Sequence, residues 1–350
     1  MKSKLKFMVF LLLPAMALTN YNCAKPEKVQ EPQALRGRTM GTFFTIKYIP
    51  KNKTQQSTEA KQKIEEGIND VLKEVNRQMS TYIPNSEISR FNRYTQTDWF
   101  AVSPDLAKVV DQALQVSRIS GGAFDITVGP MVNLWGFGPE QMPEKIPPDE
   151  KVKEAMGFTG YRKLAVRLSP PAIKKMQAEM FCDLAGIAKG YGVDKAAEYL
   201  ESQGILNYLV EIGGEVKAKG KKEGDRWWRL GVATPDGGAG VQRAFPLKNS
   251  AMATSGDYHN YFEEDGVRYS HTIDPATGKP ITHKLVSVTV VHRHCMTADA
   301  LATAIDVLGP EKGYELAIRE KLAAFFVIKG DHRFIEKITP QFEKILAGEE

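Results

Sequence analysis

Two periods of apolar and polar residues alternate along this chain. Thr42 to Ile49 (TFFTIKYI) is aromatic and β-branched and predicts a strand. Ile64, Ile68, Val71, Leu72, Val75 and Met79 then recur three and four residues apart, which predicts a long amphipathic helix. A second helix is predicted from Ser103 as N-cap and Pro104 at the first helical position, through Leu106, Val109, Val110, Ala113 and Leu114, to a stop at Gly121-Gly122. Gly129 to Pro148, dense in Gly and Pro around Trp135 and Phe137, is read as a long ordered loop. Further strands are expected at Leu164–Leu168, Tyr208–Ile212, Trp228–Ala233 and Val286–His292, with helices at 190–203, 298–308 and 311–321. No repeat of fixed period occurs and the βαβα rhythm of a doubly wound sheet is missing. The expected class is therefore α+β, a largely antiparallel sheet with packed helices. No linker interrupts the chain, so residues 36–346 are read as one catalytic domain.

The first residues follow a different pattern. Lys2, Lys4 and Lys6 precede an apolar run from Phe7 to Leu18, and Cys23 follows. A bilayer span needs about 20 apolar residues, so this shorter run behind lysines fits an export signal over 1–22. Cys23 is then the candidate lipid-attachment residue, followed over 23–35 by a Pro-, Lys-, Glu- and Gln-rich tether; a soluble periplasmic form stays open, because Asn20, Tyr21 and Asn22 are not the small residues expected before such a cut. Of the formal net charge of +5, three units belong to those lysines, and nothing in the composition points to nucleic acid. With 42% hydrophobic and 25% charged residues the chain is an ordinary globular protein rather than a disordered one. Cys182 and Cys295 both sit in apolar surroundings, either paired or as buried free thiols.

No GxxxxGK[ST], GxGxxG after a strand, HExxH or GxSxG occurs, which weakens kinase, dehydrogenase, zincin and esterase readings. Asp299 and Thr303, four apart behind a capping Thr297, place two oxygen donors on one helix face, the partial cage that a hard cation such as Mg²⁺ takes; a helix-dipole role for Asp299 is the alternative. Asp183-Leu-Ala-Gly186-Ile-Ala-Lys189-Gly190 leads into a helix and offers backbone amides and one lysine to an anion. Asp274-Pro-Ala-Thr277-Gly278 is a turn signal that would hold His271 at a strand lip, near Ser270 and Asp274, as a candidate general base. His292-Arg-His294-Cys295 is a weaker metal signal, without a second pair at zinc spacing.

Taken together, Arg38-Thr-Met40-Gly41-Thr42, Ser80-Thr81-Tyr82, Gly122-Ala123-Phe124-Asp125-Ile-Thr-Val, Asp183-Leu-Ala-Gly-Ile-Ala-Lys189-Gly-Tyr, Gly213-Gly214, Ala253-Thr-Ser-Gly-Asp257-Tyr258, Tyr269-Ser-His271-Thr-Ile273-Asp-Pro-Ala-Thr-Gly and Ala298-Asp299-Ala-Leu-Ala-Thr303-Ala occur in one order. In that order and spacing, over about 35–345, the chain resembles the ApbE family of bacterial FAD:protein FMN transferases. The resemblance implies a Mg²⁺-dependent enzyme that splits FAD, transfers FMN through a phosphoester to a Thr or Ser hydroxyl of a partner protein, and releases AMP. It implies flavin-binding positions at Met40, Tyr82, Ala123, Phe124, Asp125, Asp183, Lys189 and Ile273. The implied metal ligands are the Gly186 carbonyl, Asp299 and Thr303, and the implied base is His271. Glu215 departs from the pattern, since a shorter Asn or Asp commonly follows the Gly-Gly pair. The partners expected are FAD and acceptor subunits of membrane redox complexes, met on the periplasmic side by an enzyme anchored to the inner membrane if Cys23 is lipidated. Two rivals share this pocket: an FAD pyrophosphatase giving FMN and AMP, and a non-catalytic FAD-binding protein.

Overall fold

The computed structural model describes residues 32–139, 146–234, 240–256, 261–264 and 267–348. Eight strands form one antiparallel sheet whose spatial order is the chain order: β1 (Gln33–Thr39), β2 (Thr42–Tyr48), β3 (Tyr208–Ile212), β4 (Glu215–Lys219), β5 (Ser250–Gly256), β6 (Leu285–His292), β7 (Ala323–Lys329) and β8 (Phe334–Ile338). The antiparallel α+β class expected from the sequence is the one observed. Side chains of a strand point alternately to the two faces, and here each face has its own core. In β7, Ala324 and Phe326 join the cluster under the helices, while Phe325 and Val327 join a second cluster with Trp228, Phe245 and Phe342 on the far side.

Four helices cover the first face: α1 (Thr58–Met79), α2 (Pro104–Ile119), α3 (Ala185–Ser202) and α4 (Cys295–Arg319). Of the predicted stripe in α1, Ile64, Ile68, Leu72, Val75 and Met79 are buried and Val71 is half-buried. α2 starts as its sequence demands, with the Leu106 N–H donating to Ser103 Oγ at 3.2 Å and Pro104 in the first turn. It ends where Gly122 N–H donates 2.8 Å to the Ser117 carbonyl, Gly121 and Gly122 both having positive φ. A three-stranded sheet of Phe100–Ala101, Leu164–Leu168 and Pro171–Lys175 packs beside α2.

Four expectations need correction. The segment read as a tether to residue 35 already enters β1 at Gln33, because Leu35, 2% exposed, pairs with Ile46 and belongs to the core. The expected loop over 129–148 opens as a helix, Gly129–Leu134, which Pro130 favours in its first turn; residues 140–145 lie outside the described part. The helix expected from 190 starts at Ala185, the Ala185 N–H donating to Asp183 Oδ1 at 2.8 Å. The helices expected at 298–308 and 311–321 are both present, as the two segments of α4 on either side of a break at Gly309 (φ 77°) before Pro310. Thr297 does not cap it: α4 begins at Cys295, and the Met296 N–H donates 3.0 Å to Asp194 Oδ2, a carboxylate reaching over from α3.

Cys182 and Cys295 are buried free thiols, and burial pushes both above the usual thiol range. Among the described residues no helix is long and apolar enough to cross a membrane. The expected export signal, Cys23 and the pair Asp257-Tyr258 lie outside the described residues.

Candidate active site

The site is built where two helices approach closely. α3 and α4 run past each other at Gly186 and Gly190. A Cβ on Gly186 would stand 3.1 Å from Thr303 Oγ1 and from Phe124 Cε2; one on Gly190 would be driven into the Cys295 carbonyl oxygen and stand 2.8 Å from Asp299 Cβ. Because neither position carries a side chain, Asp299 and Thr303 of α4 lie directly against the first turns of α3. Gly190→Ala is therefore expected to cost about 3 kcal/mol, the upper end for an overpacked contact, since a backbone carbonyl cannot swing aside. Urea unfolding measures this, and an unchanged midpoint would show that the crossing is looser than described.

The oxygens and nitrogens at this crossing have specific partners. The Gly190 N–H, which a regular helix would aim at the Gly186 carbonyl, donates to Asp299 Oδ2 at 2.9 Å. Lys189 Nζ donates to Glu215 Oε1 at 2.9 Å and lies 3.8 Å from Asp299 Oδ1. Glu215 is 2% exposed, and its Oε2 has no hydrogen-bond partner. Burial pushes the carboxyls of Asp299 and Glu215 above the usual carboxylate range, against the pull of Lys189. Burial alone would lower the Lys189 ammonium, but Asp299 and Glu215 hold it above the usual lysine range. Two buried carboxylates against one ammonium leave an excess of negative charge.

That excess, an orphaned buried carboxylate oxygen, and a donor set of carboxylate, hydroxyl and carbonyl oxygens fit a hard divalent cation such as Mg²⁺. Among the described residues no three His, Cys, Asp or Glu side chains gather as a metal cage. At the His292–Cys295 segment the Cys295 thiol points inward, 3.7 Å from the carbonyls of Val216 and Met252.

Above the crossing opens a cavity of about 1110 Å³, at the large end of small-molecule sites. Met40, Tyr82, Ala123, Phe124, Asp125, Asp183, Gly186, Lys189, His271, Ile273, Asp299 and Thr303, all singled out from sequence, line this one space. Met40 reaches it from the two-residue hairpin between β1 and β2, where Met40 (φ 49°) and Gly41 (φ 73°) take the left-handed conformations such a turn needs. Its thioether lies over α3, so a Cβ on Gly192 would stand 2.6 Å from Met40 Cε. Tyr82 stands at the rim, 69% exposed, its hydroxyl donating 3.4 Å to the Phe137 carbonyl. Phe124 is buried, Ala123 is half-buried beside it, and Ile273 packs with Met131 and Trp135.

The carboxylates read from sequence differ in what they are free to do. Asp125 Oδ1 accepts from the Thr127 N–H (2.8 Å) and hydroxyl (2.6 Å), and Oδ2 from the Tyr161 N–H (2.7 Å), so its carboxylate braces the loop. Burial pushes Asp125 and Asp183 upward, opposed at Asp183 by the Ala185 N–H. His271 lines the cavity with its ring edge-on to Phe137, centroids 6.4 Å apart. Its expected neighbours are engaged elsewhere. Ser270 Oγ accepts the Thr272 N–H at 3.1 Å, and Asp274 accepts from Ala276 N–H (2.9 Å) and Thr277 Oγ1 (3.1 Å) within the predicted turn. Trp135 Nε1 grips that turn from outside, donating 2.8 Å to the Gly278 carbonyl.

Sequence reasoning passed over Asp306 and Asp194, both buried. Asp306 follows Asp299 and Thr303 at i+7 and i+3, a helical spacing that carried the signal.

The fold and the site together define a class: an antiparallel α+β protein whose dinucleotide-sized cavity is floored by buried oxygen donors and one lysine. The sequence model of the ApbE family matches residues 40–326. An FAD:protein FMN transferase of Vibrio cholerae is 44% identical over 340 residues, spanning 97% of this chain and 99% of its own. One of Haemophilus influenzae is 42% identical over 345 residues, spanning 97% and 98%. The solved flavin transferase ApbE from Vibrio cholerae superposes with a TM-score of 0.83 at 43% identity, over 91% of this chain and 100% of that one. The chain belongs to the ApbE family.

Proposed function

We propose that the protein is an FAD:protein FMN transferase whose site is the cavity above the α3–α4 crossing. The observation that carries this is the convergence of separate chain segments on one space, with Lys189 held between Glu215 and Asp299 at its floor. FAD enters the cavity with its diphosphate toward Lys189 and the first turns of α3, where cationic and main-chain groups favour an anion. Met40, Tyr82 and Ile273 offer the apolar surface that a flavin ring needs.

The Ser or Thr hydroxyl of the acceptor attacks the phosphorus of the FMN half. A new phosphoester O–P bond forms, the bond to the bridging oxygen breaks, and AMP leaves with that oxygen. His271 takes the hydroxyl proton as the O–P bond forms. Asp299, Thr303 and the Gly186 carbonyl would hold Mg²⁺, which when bound supplies charge neutralisation at the diphosphate oxygens. Lys189 carries a fixed positive charge beside the same oxygens, and Glu215 keeps its ammonium in place.

The acceptors in this reading are subunits of membrane redox complexes. The enzyme meets them after export, held by a lipid on Cys23; the basic, then apolar, N-terminal pattern supports this. Incubation with FAD, Mg²⁺ and such a subunit, followed by denaturing electrophoresis, is expected to show flavin fluorescence on the acceptor band. Free FMN without a fluorescent band would replace the reading by hydrolysis. FAD bound but intact would replace it by carriage.

A further inference from the structure

We propose that Asp306 is a positioning residue for the transfer reaction, tying the segment that carries His271 to the helix that carries Asp299 and Thr303. This rests on the reading of His271 given above. The spacing of Asp299, Thr303 and Asp306 along α4 puts the three on one face of the helix. Asp306 is the deepest, with 0% exposure. Its Oδ2 accepts from Ser255 Oγ at 3.0 Å, at the end of β5, and from Thr272 Oγ1 at 3.4 Å, the residue after His271. Burying a carboxyl group is costly unless hydrogen bonds hold it, so the hydroxyls and the carboxyl fix one another. Ser255 and Thr272 both line the cavity, so the two walls that Asp306 grips are walls of the site.

The main chain of the same residue is held as well. Pro310, four residues on, has no N–H, so the Asp306 carbonyl lacks its helical donor. His283 Nε2 fills that place at 2.6 Å. The Leu285 N–H donates 3.3 Å to His283 Nδ1, which leaves the ring proton on Nε2, where it donates to Asp306. The ring fits because residue 309 is glycine: a Cβ there would stand 2.8 Å from His283 Cδ2. Asp306 thus binds the end of β5, the His271 segment and the approach to β6 to a single turn of α4. A base that must meet the attacking hydroxyl beside the α3–α4 crossing depends on that spacing, since a misplacement of about 1 Å can cost a hundredfold in rate.

The test measures kcat and KM for FAD in FMN transfer to a membrane redox subunit, with FAD binding and Tm, for Asp306→Ala, Asp306→Asn and the Ser255→Ala, Thr272→Val double variant, beside His271→Ala. Asp306→Ala is expected to lower kcat at least about tenfold while KM and FAD affinity stay within about twofold. Asn retains an acceptor oxygen and is expected to restore kcat to within about threefold of wild type. If the alanine variant does not fold, the double variant decides: a kcat loss with unchanged KM supports the proposal, and an unchanged kcat overturns it. A KM that rises as kcat falls across the series also overturns it, because Asp306 would then shape the flavin pocket in general. An inactive His271→Ala beside a fully active Asp306→Ala refutes the positioning role alone, whereas a fully active His271→Ala removes the reading beneath it.

Discussion

Asp299→Asn is expected to lower FMN transfer on the order of 10³-fold and, at neutral pH without Mg²⁺, to raise the unfolding temperature. The two effects have one cause. Burial lifts the Asp299 carboxyl above its usual range in the folded state, so the unfolded chain releases that proton more readily. Stability from this group is present at pH values below the unfolded carboxyl's range and is lost as pH rises through the folded one. At neutral pH its ionised form opposes folding. Asparagine keeps the size and an oxygen for the Gly190 N–H, and leaves the neutral Lys189–Glu215 pair behind. The functional loss follows because an amide supplies no negative charge to a cation. Thermal melts in EDTA and in millimolar Mg²⁺ check the assignment: Mg²⁺ should raise the wild-type midpoint and leave the variant's unchanged. A variant that melts lower in EDTA would overturn burial as the cause, and one that still responds to Mg²⁺ would place the cation elsewhere.

Much of this site was legible because its parts lie on locally ordered sequence. Asp299 and Thr303 were readable as neighbours from helical spacing, Asp274-Pro-Ala-Thr277-Gly278 as a turn, and Ser103-Pro104 as a helix start, each a short-range rule that the folded chain obeys. The convergence of those parts was legible only by likeness to a family, since no local rule brings residue 186 against residue 303. What stayed hidden depends on long-range partners. The start of α4 is fixed by Asp194, about a hundred residues earlier, so capping by Thr297 was a sound expectation that a distant carboxylate overrode. Gly309-Pro310 reads as a stop and the helix does break there; what stayed hidden is that His283 takes the Asp306 carbonyl left without a helical donor. Asp125 shows the converse. Its motif marks it for the flavin, while its carboxylate oxygens are occupied by Thr127 and Tyr161.

His271→Ala is expected to lower kcat for transfer by about 10²- to 10⁴-fold, the usual range for removing a general base, while FAD still binds. The structure separates these quantities well. The residues on either side of His271 are held by bonds that do not involve its ring: the Thr272 N–H donates to Ser270 Oγ, the Ile281 N–H to the Thr272 carbonyl, and Trp135 to the turn at Gly278. Truncating the imidazole should therefore leave Ile273 packed against Met131 and Trp135, and the apolar wall for the flavin intact. Flavin fluorescence titration is expected to give an FAD affinity within a few-fold of wild type, so that nearly all the loss falls on kcat. Added imidazole, small enough to enter a cavity of 1110 Å³, should restore part of the rate if the missing group only moves a proton. A loss confined to FAD binding, with single-turnover transfer at the wild-type rate once the site is saturated, would make His271 a flavin contact and leave another group of the cavity to take the proton.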